Sequence, residues 1–210
     1  MKYAKNIIAV GGPIGIGKST LVGSLEFTNI QELDGNSSLE TELLDRMYKN
    51  DDIALHTFQI HLITKKADIY KKMVQNQETV IFDRTIFEDI MFARRKITNE
   101  STMKYYKQVW NDLVNQMKYN YGLPSLYILL ESKWDTARDR ILKRGRSFEI
   151  EMLKKDEKKF KELHEMYENE FPKILKDCGI KFIKIKTDNK EIFDVRNDVK
   201  KELKKYGFYK

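Results

Sequence analysis

An α/β three-layer sandwich is expected here, with a five-stranded parallel sheet between two helical layers and an arginine-bearing lid. Three observations lead to it. Apolar, strand-like runs of four to six residues recur with helical stretches between them; the first runs directly into a glycine-rich loop that ends in lysine; and a cluster of arginines follows the fourth. With 210 residues and no Pro/Gly/Ser-rich linker, the chain suits one domain spanning 1–210, its lid at about 140–152.

The elements are justified in order by period. Ile7 to Val10 reads as the first strand, with a weaker one near Asn29 to Leu33, then Val80 to Phe82, Leu126 to Leu130 and Phe182 to Ile185. Between them lie helical spacings. Leu43, Leu44, Met47 and Tyr48 begin one helix, Phe58, Leu62, Ile69 and Met73 mark a second, and Tyr106, Val109, Trp110, Leu113 and Met117 mark a third. Thr136 to Lys143 continues as a helix after the fourth strand. Phe160, Leu163, Met166, Tyr167, Phe171 and Ile174 then form one helical run up to a break near Cys178-Gly179. Ile192, Val195, Val199, Leu203 and Tyr206 give a last amphipathic helix.

The net charge of +7 arises from 39 basic against 32 acidic residues, scattered in mixed-sign segments such as Lys154 to Lys161. That is the pattern of a solvated helix face and not of a nucleic-acid stripe, while the excess suits a polyanionic nucleotide. The single cysteine, Cys178, rules out an internal disulfide framework and fits a reducing compartment. With nothing resembling a signal peptide or membrane span, a cytoplasmic protein is expected.

Three stretches carry chemistry. Gly12, Pro13, Ile14, Gly15, Ile16, Gly17, Lys18, Ser19 and Thr20 satisfy G-x-x-x-x-G-K-[ST] in the confirming strand-to-helix context. Glycines let backbone N–H groups wrap a phosphate, Lys18 reaches the terminal phosphates, and the Ser19 hydroxyl is suited to Mg²⁺. Second, the strand Val80-Ile81-Phe82 ends in Asp83-Arg84. Ligands gather at the carboxyl ends of such strands, so Arg84 suits a phosphate or an attacking hydroxyl and Asp83 suits Mg²⁺ placement through water. Third, Arg140, Arg144 and Arg146 follow the fourth strand with Gly145 between two of them, as a mobile flap carrying positive charge to a phosphoryl group requires. A phosphate loop alone does not fix the reaction. The absence of an Asn-Lys-x-Asp guanine reader and the short chain favour a kinase of a small substrate.

In GGPIGIGKST, MYKNDDIALHTFQIHLITKK, VIFDRTIFEDIMFAR, YILLES and RILKRGRSFE, taken in order, the sequence resembles the deoxyribonucleoside kinases, and most closely the bacterial deoxyadenosine/deoxyguanosine kinase branch. The resemblance implies a P-loop kinase fold, ATP and Mg²⁺ as cofactors, a deoxynucleoside acceptor, preferably a purine, and a homodimer paired through a helix bundle, with the faces around Trp110 and Met73 as candidates. It also implies residue roles. Gln59 hydrogen-bonds the nucleobase, Asp89 helps read it, and Phe92 stacks on it. Tyr48 and Glu149 contact the sugar 3′-hydroxyl, and Arg84 holds the 5′-hydroxyl region. Arg140, Arg144 and Arg146 grip the ATP phosphates, and Lys186 to Asn189, with Asp188, cover the adenine.

Two departures stand out. Lys66 occupies the position, seven after Gln59, where the family usually has arginine, so a planar fork becomes a point charge. The Glu-Pro-Val triplet that usually carries the general base is missing. Glu32 is the favoured substitute and Asp34 the near alternative, whereas a gapless count puts Asn36, an amide that cannot accept the proton, in that place. Two other functions stay open: a thymidylate-like monophosphate kinase, and a non-catalytic nucleotide-binding homologue.

Overall fold

The computed structural model describes residues 2–31, 38–49, 51–76 and 78–209. Its five strands are β1 (Tyr3–Gly11), β2 (Thr28–Ile30), β3 (Val80–Asp83), β4 (Leu123–Glu131) and β5 (Phe182–Lys186). They pair in parallel in the order β2-β3-β1-β4-β5. Alternate side chains of a strand point to opposite faces, and β1 and β4 use both. Ile7, Ala9, Tyr127 and Leu129 enter one core, whereas Ile8, Val10, Leu126, Ile128 and Leu130 enter the other. Strands apolar on both faces must be covered on both, and that produces the three layers.

One face is covered by α1 (Lys18–Ser24) and α10 (Ile192–Lys205). The larger core on the other face collects α3 (Asp52–Val74), α4 (Ile86–Lys96), α5 (Glu100–Gln116), α8 (Glu157–Asn169) and α9 (Phe171–Cys178). A smaller cluster, Leu43 with Ala54, Phe58 and Leu62, seats α2 (Ser38–Tyr48) on α3. The Asp51 side chain caps α3 by accepting from the Ala54 N–H at 3.0 Å, which fixes where the helix begins and so the phase at which its polar residues point inward.

Three expectations are corrected. The helical run through Ile174 is two helices, because the chain turns at Glu170 and Pro172 opens α9. Proline has no N–H to continue the first helix but suits the first turn of a new one. The second strand ends at Ile30, and residues 32–37, Leu33 among them, lie outside the described residues. Trp110, expected on a pairing face, is buried within the protomer, its indole N–H donating to the Ile86 carbonyl at 2.7 Å, and Met73 packs on the same core. The exposed large apolar side chains of α3 and α5 are Ile53 and Tyr105.

After β1 the chain moves toward β2, and after β4 it moves toward β5 on the opposite side. Such a reversal opens a crevice at the carboxyl ends of the two strands. The glycine-rich loop leaves β1 there, and α6 (Trp134–Arg144) leaves β4 there.

Candidate active site

The loop after β1 is shaped by its neighbours. Gly15 has φ +81°, and a Cβ there would stand 2.5 Å from the Ala137 carbonyl of α6, so only glycine lets loop and helix approach this closely. Lys18 is buried and its Nζ donates to the Pro13 carbonyl at 2.8 Å, holding the ammonium within the curve of the loop. The Ser19 hydroxyl donates to Asp83 Oδ2 at 2.5 Å, while Asp83 Oδ1 is buried without a hydrogen-bond partner among the described residues. A hydroxyl beside an ionic oxygen with an open lone pair is the hard-oxygen set that Mg²⁺ prefers, so these two residues fit the ion.

Arg84 follows Asp83 with φ 65°, a left-handed conformation costly to a residue with a Cβ, about 1–3 kcal/mol, and found where structure over-determines it. Its N–H donates to the Val10 carbonyl at 2.9 Å and its Nη2 to the Gly12 carbonyl at 3.2 Å. The guanidinium stacks over the half-buried Phe92 ring at 5.0 Å and lies 6.0 Å from the Tyr167 ring. Sequence inspection missed the residue that organises this corner, Glu88. Fully buried, it accepts from the Gly12 N–H at 3.2 Å and from the Tyr127 hydroxyl at 3.1 Å, and its Oε1 lies 3.8 Å from Arg84 Nε. Burial, followed by the Glu88 charge, holds the Tyr127 hydroxyl well above its ordinary pKa, so it remains a donor. The signal was present only as an acid four residues after the strand-end arginine, in the first turn of the helix that Thr85 caps.

On α3, Gln59 and Lys66 are two turns apart and both buried. Lys66 Nζ donates to Asp89 Oδ1 of α4 at 2.7 Å. Gln59 Oε1 is buried without a hydrogen-bond partner among the described residues. The Tyr106 hydroxyl is buried nearby, its pKa raised by desolvation first and by the Asp89 charge second. Adjacent in α4, Glu88 turns to the loop and Asp89 to α3, so one helix joins the two halves of the site. Tyr48 closes α2, and Glu32, Asp34 and Asn36 lie outside the described residues.

A cavity of about 370 Å³ opens between Gly15 to Gly17, Leu130, Arg140, Arg144, Thr187 and the stretch Lys190 to Ile192. Arg140 is fixed to its wall, with Nη2 donating to the Thr187 carbonyl at 2.7 Å and Nη1 to the Thr187 hydroxyl at 2.9 Å. Asp188 is turned away to the start of α6, where it accepts from the Lys133 N–H at 2.9 Å and the Thr136 hydroxyl at 2.7 Å. Thr187 takes the wall position there. α6 ends at Gly145, φ 74°, which turns the chain into α7 (Ser147–Lys155). In this hairpin Arg144 and Arg146 both turn onto Glu149, Arg144 in a close hydrogen-bonded pair and Arg146 Nη1 at 3.6 Å.

Fold and site together define a nucleotide-dependent phosphotransferase of the phosphate-loop type. The chain belongs to the deoxynucleoside kinase family, whose profile, described as "Deoxynucleoside kinase", matches residues 8–206. It is 34% identical over 182 residues to an uncharacterized protein of Mycoplasma pneumoniae, covering 83% of this chain and 80% of that one. It is 33% identical over 152 residues, 68% of each chain, to the deoxyadenosine kinase of Lactobacillus acidophilus. To the deoxyadenosine/deoxycytidine kinase of Bacillus subtilis it is 28% identical over 174 residues, 78% of this chain and 76% of the other. Among solved structures it superposes on deoxyadenosine kinase from M. mycoides with bound dCTP at a TM-score of 0.73, with 22% identity, over 95% of this chain and 99% of that one. The protein is a kinase, and its family implies ATP as phosphate donor. No helix among the described residues is long and apolar enough to cross a membrane.

Proposed function

We propose that this kinase transfers the γ-phosphoryl group of ATP to the 5′-hydroxyl of a deoxyribonucleoside, preferably deoxyadenosine or deoxyguanosine. The observation that carries this is the shared corner at Arg84: its guanidinium is bonded to the Gly12 carbonyl of the phosphate loop and stacked on Phe92 of α4, the helix that presents Asp89 to Lys66. A hydroxyl held at Arg84 then faces the end of the cradle. The unsatisfied Gln59 oxygen supports base recognition, since a buried acceptor left without a donor costs about 1–3 kcal/mol that a base amino group would offset. The purine preference draws on the relatives named deoxyadenosine and deoxyguanosine kinases.

Lys18, Arg84 and the lid arginines neutralise charge developing on the transferred group, and the loop N–H groups hold the other phosphates. Ser19 and Asp83 would hold Mg²⁺, which would supply charge neutralisation to the phosphates. Glu32 is the carboxylate assigned to take the hydroxyl proton. Closure of Arg140, Arg144 and Arg146 over the donor keeps water out. Pairing of two copies and a cytoplasmic location complete the proposal, and size-exclusion chromatography tests the first.

The test is ADP release measured with a panel of deoxynucleosides and nucleoside monophosphates, with ATP and GTP as donors. Deoxyadenosine or deoxyguanosine is expected to give the highest turnover. Turnover of a monophosphate alone would move the assignment to a thymidylate-like kinase. ATP binding with no product from any acceptor would make this a non-catalytic homologue.

A further inference from the structure

The last residue of β1, Gly11, stands outside the phosphate-loop pattern, yet a Cβ there would lie 2.6 Å from Tyr127 Cε1 and 2.7 Å from Glu88 Oε1. A glycine in a strand often marks a close approach, and here Glu88 and its partner Tyr127 are what approach. Once inside, the Glu88 carboxylate accepts from the Gly12 N–H at 3.2 Å, while Arg84 Nη2 donates to the Gly12 carbonyl at 3.2 Å. Both backbone groups of one residue are thus taken by an acid and an arginine that face each other, Glu88 Oε1 lying 3.8 Å from Arg84 Nε. The Arg84 N–H donates in turn to the Val10 carbonyl at 2.9 Å, two residues before Gly12. Gly12 opens the phosphate loop, so the clamp ties that loop to the cation that follows β3. A buried ion pair stabilises a fold little better than an apolar pair of the same volume, so its presence here fits a demand for orientation.

We propose that Glu88 is a positioning residue for phosphoryl transfer. Its charge sets the Arg84 guanidinium against Gly12, so that the cation at the acceptor hydroxyl and the loop around the donor phosphates keep one register. A misplacement of about 1 Å costs on the order of 100-fold in rate, which is the scale of effect a displaced Arg84 would have. This rests on the assignment of Arg84 to the acceptor hydroxyl, made under Proposed function, and adds the residue through which that arginine is placed.

The experiment is a double-mutant cycle on the full chain, with Glu88→Gln, Arg84→Lys and the two together, assayed with ATP and the acceptor that the wild type turns over fastest. Glutamine keeps the shape and an oxygen for the Gly12 N–H, and lysine keeps a positive charge without the planar fork. Each kcat is normalised to the folded fraction read by circular dichroism. With Arg84 in place, Glu88→Gln is expected to lower kcat about 30-fold or more while the KM for ATP stays within about twofold, the mark of an interaction made in the transition state. In the Arg84→Lys background the same change is expected to cost less than about threefold, because no guanidinium is left to place. Glu88→Asp keeps the charge but is one methylene shorter, so it is expected to fold and still to lose kcat; where Glu88→Gln fails to fold, it carries the same cycle. Equal fold losses in the two backgrounds, or full kcat in folded Glu88→Gln or Glu88→Asp, would overturn the proposal. A wild type that turns over no acceptor would sink the reading under Proposed function and this inference with it, whereas additive losses in an active enzyme sink the inference alone.

Discussion

Two regions of the proposed site carry positive charge, and they are built on opposite principles. At the phosphate loop and at the contact of α3 with α4 the cations are buried and given partners by rigid elements: Lys18 by the loop carbonyl of Pro13, Arg84 by Gly12 and Glu88, and Lys66 by Asp89. In the lid Arg144 and Arg146 are exposed and share one carboxylate within a short hairpin. A buried charge cannot be left without compensation, so its partner is set by the fold. An exposed pair is worth only about 0.2–1 kcal/mol, so its partner can be exchanged. Buried partners make the cradle rigid, and exposed ones leave the lid free to exchange its own.

The largest break of that contrast is at Lys18. Replacing it with Met should lower kcat by about 10³-fold, as loss of a charge aimed at the transferred group does, while the unfolding midpoint stays close to wild type. A variant that retained activity would leave the cradle without its central cation. Next is Glu88→Gln, which keeps the shape and removes the charge beside Arg84. Stripping one partner from a buried pair should destabilise the protein by about 3–5 kcal/mol in urea unfolding. A change of under about 1 kcal/mol, the value for exposed pairs, would erase the distinction between the two regions.

Smaller effects sharpen the comparison. Gln59→Leu should raise the nucleoside KM about tenfold, with stability little changed because the lost oxygen has no partner among the described residues. An unchanged KM would remove Gln59 from the base site. Arg146→Ala should cost less than about 1 kcal/mol of stability. The smallest effect concerns Asp188, whose desolvation is outweighed by hydrogen bonds from Lys133 and Thr136, so its carboxyl is held below the usual range. Its depressed folded-state pKa makes its contribution fully present above the unfolded value of about 3.9 and lost as pH falls through the folded value. The stability gap between wild type and Asp188→Asn should therefore be present at pH 7 and close in acid. A gap independent of pH would assign it to shape.

Much of the molecule is legible in its sequence. The phosphate loop, the Asp83-Arg84 strand end, the arginine cluster and the strand and helix periods are contiguous signals, written within a few residues by local steric and chemical rules. The run from Phe160 to Ile174 reads as one helix because apolar spacing carries across Glu170, where the backbone turns. Trp110 and Met73 stood as candidates for a pairing face because periodicity cannot tell a core face from such a face; both pack on the protomer's own core.

By itself the sequence determined the class of fold, the glycine-rich loop after the first strand and the residue types available to the reaction, because those depend on local spacing. Only the tertiary structure decided the partners: that Glu88 reaches back 76 residues to Gly12, that Lys66 meets Asp89, that Asp188 serves α6 while Thr187 faces the cavity, and that Glu149 holds two lid arginines. Those pairings follow from which helix each strand order brings alongside, and Coulombic and hydrogen-bond energies depend on distance in space, which separation along the chain does not encode.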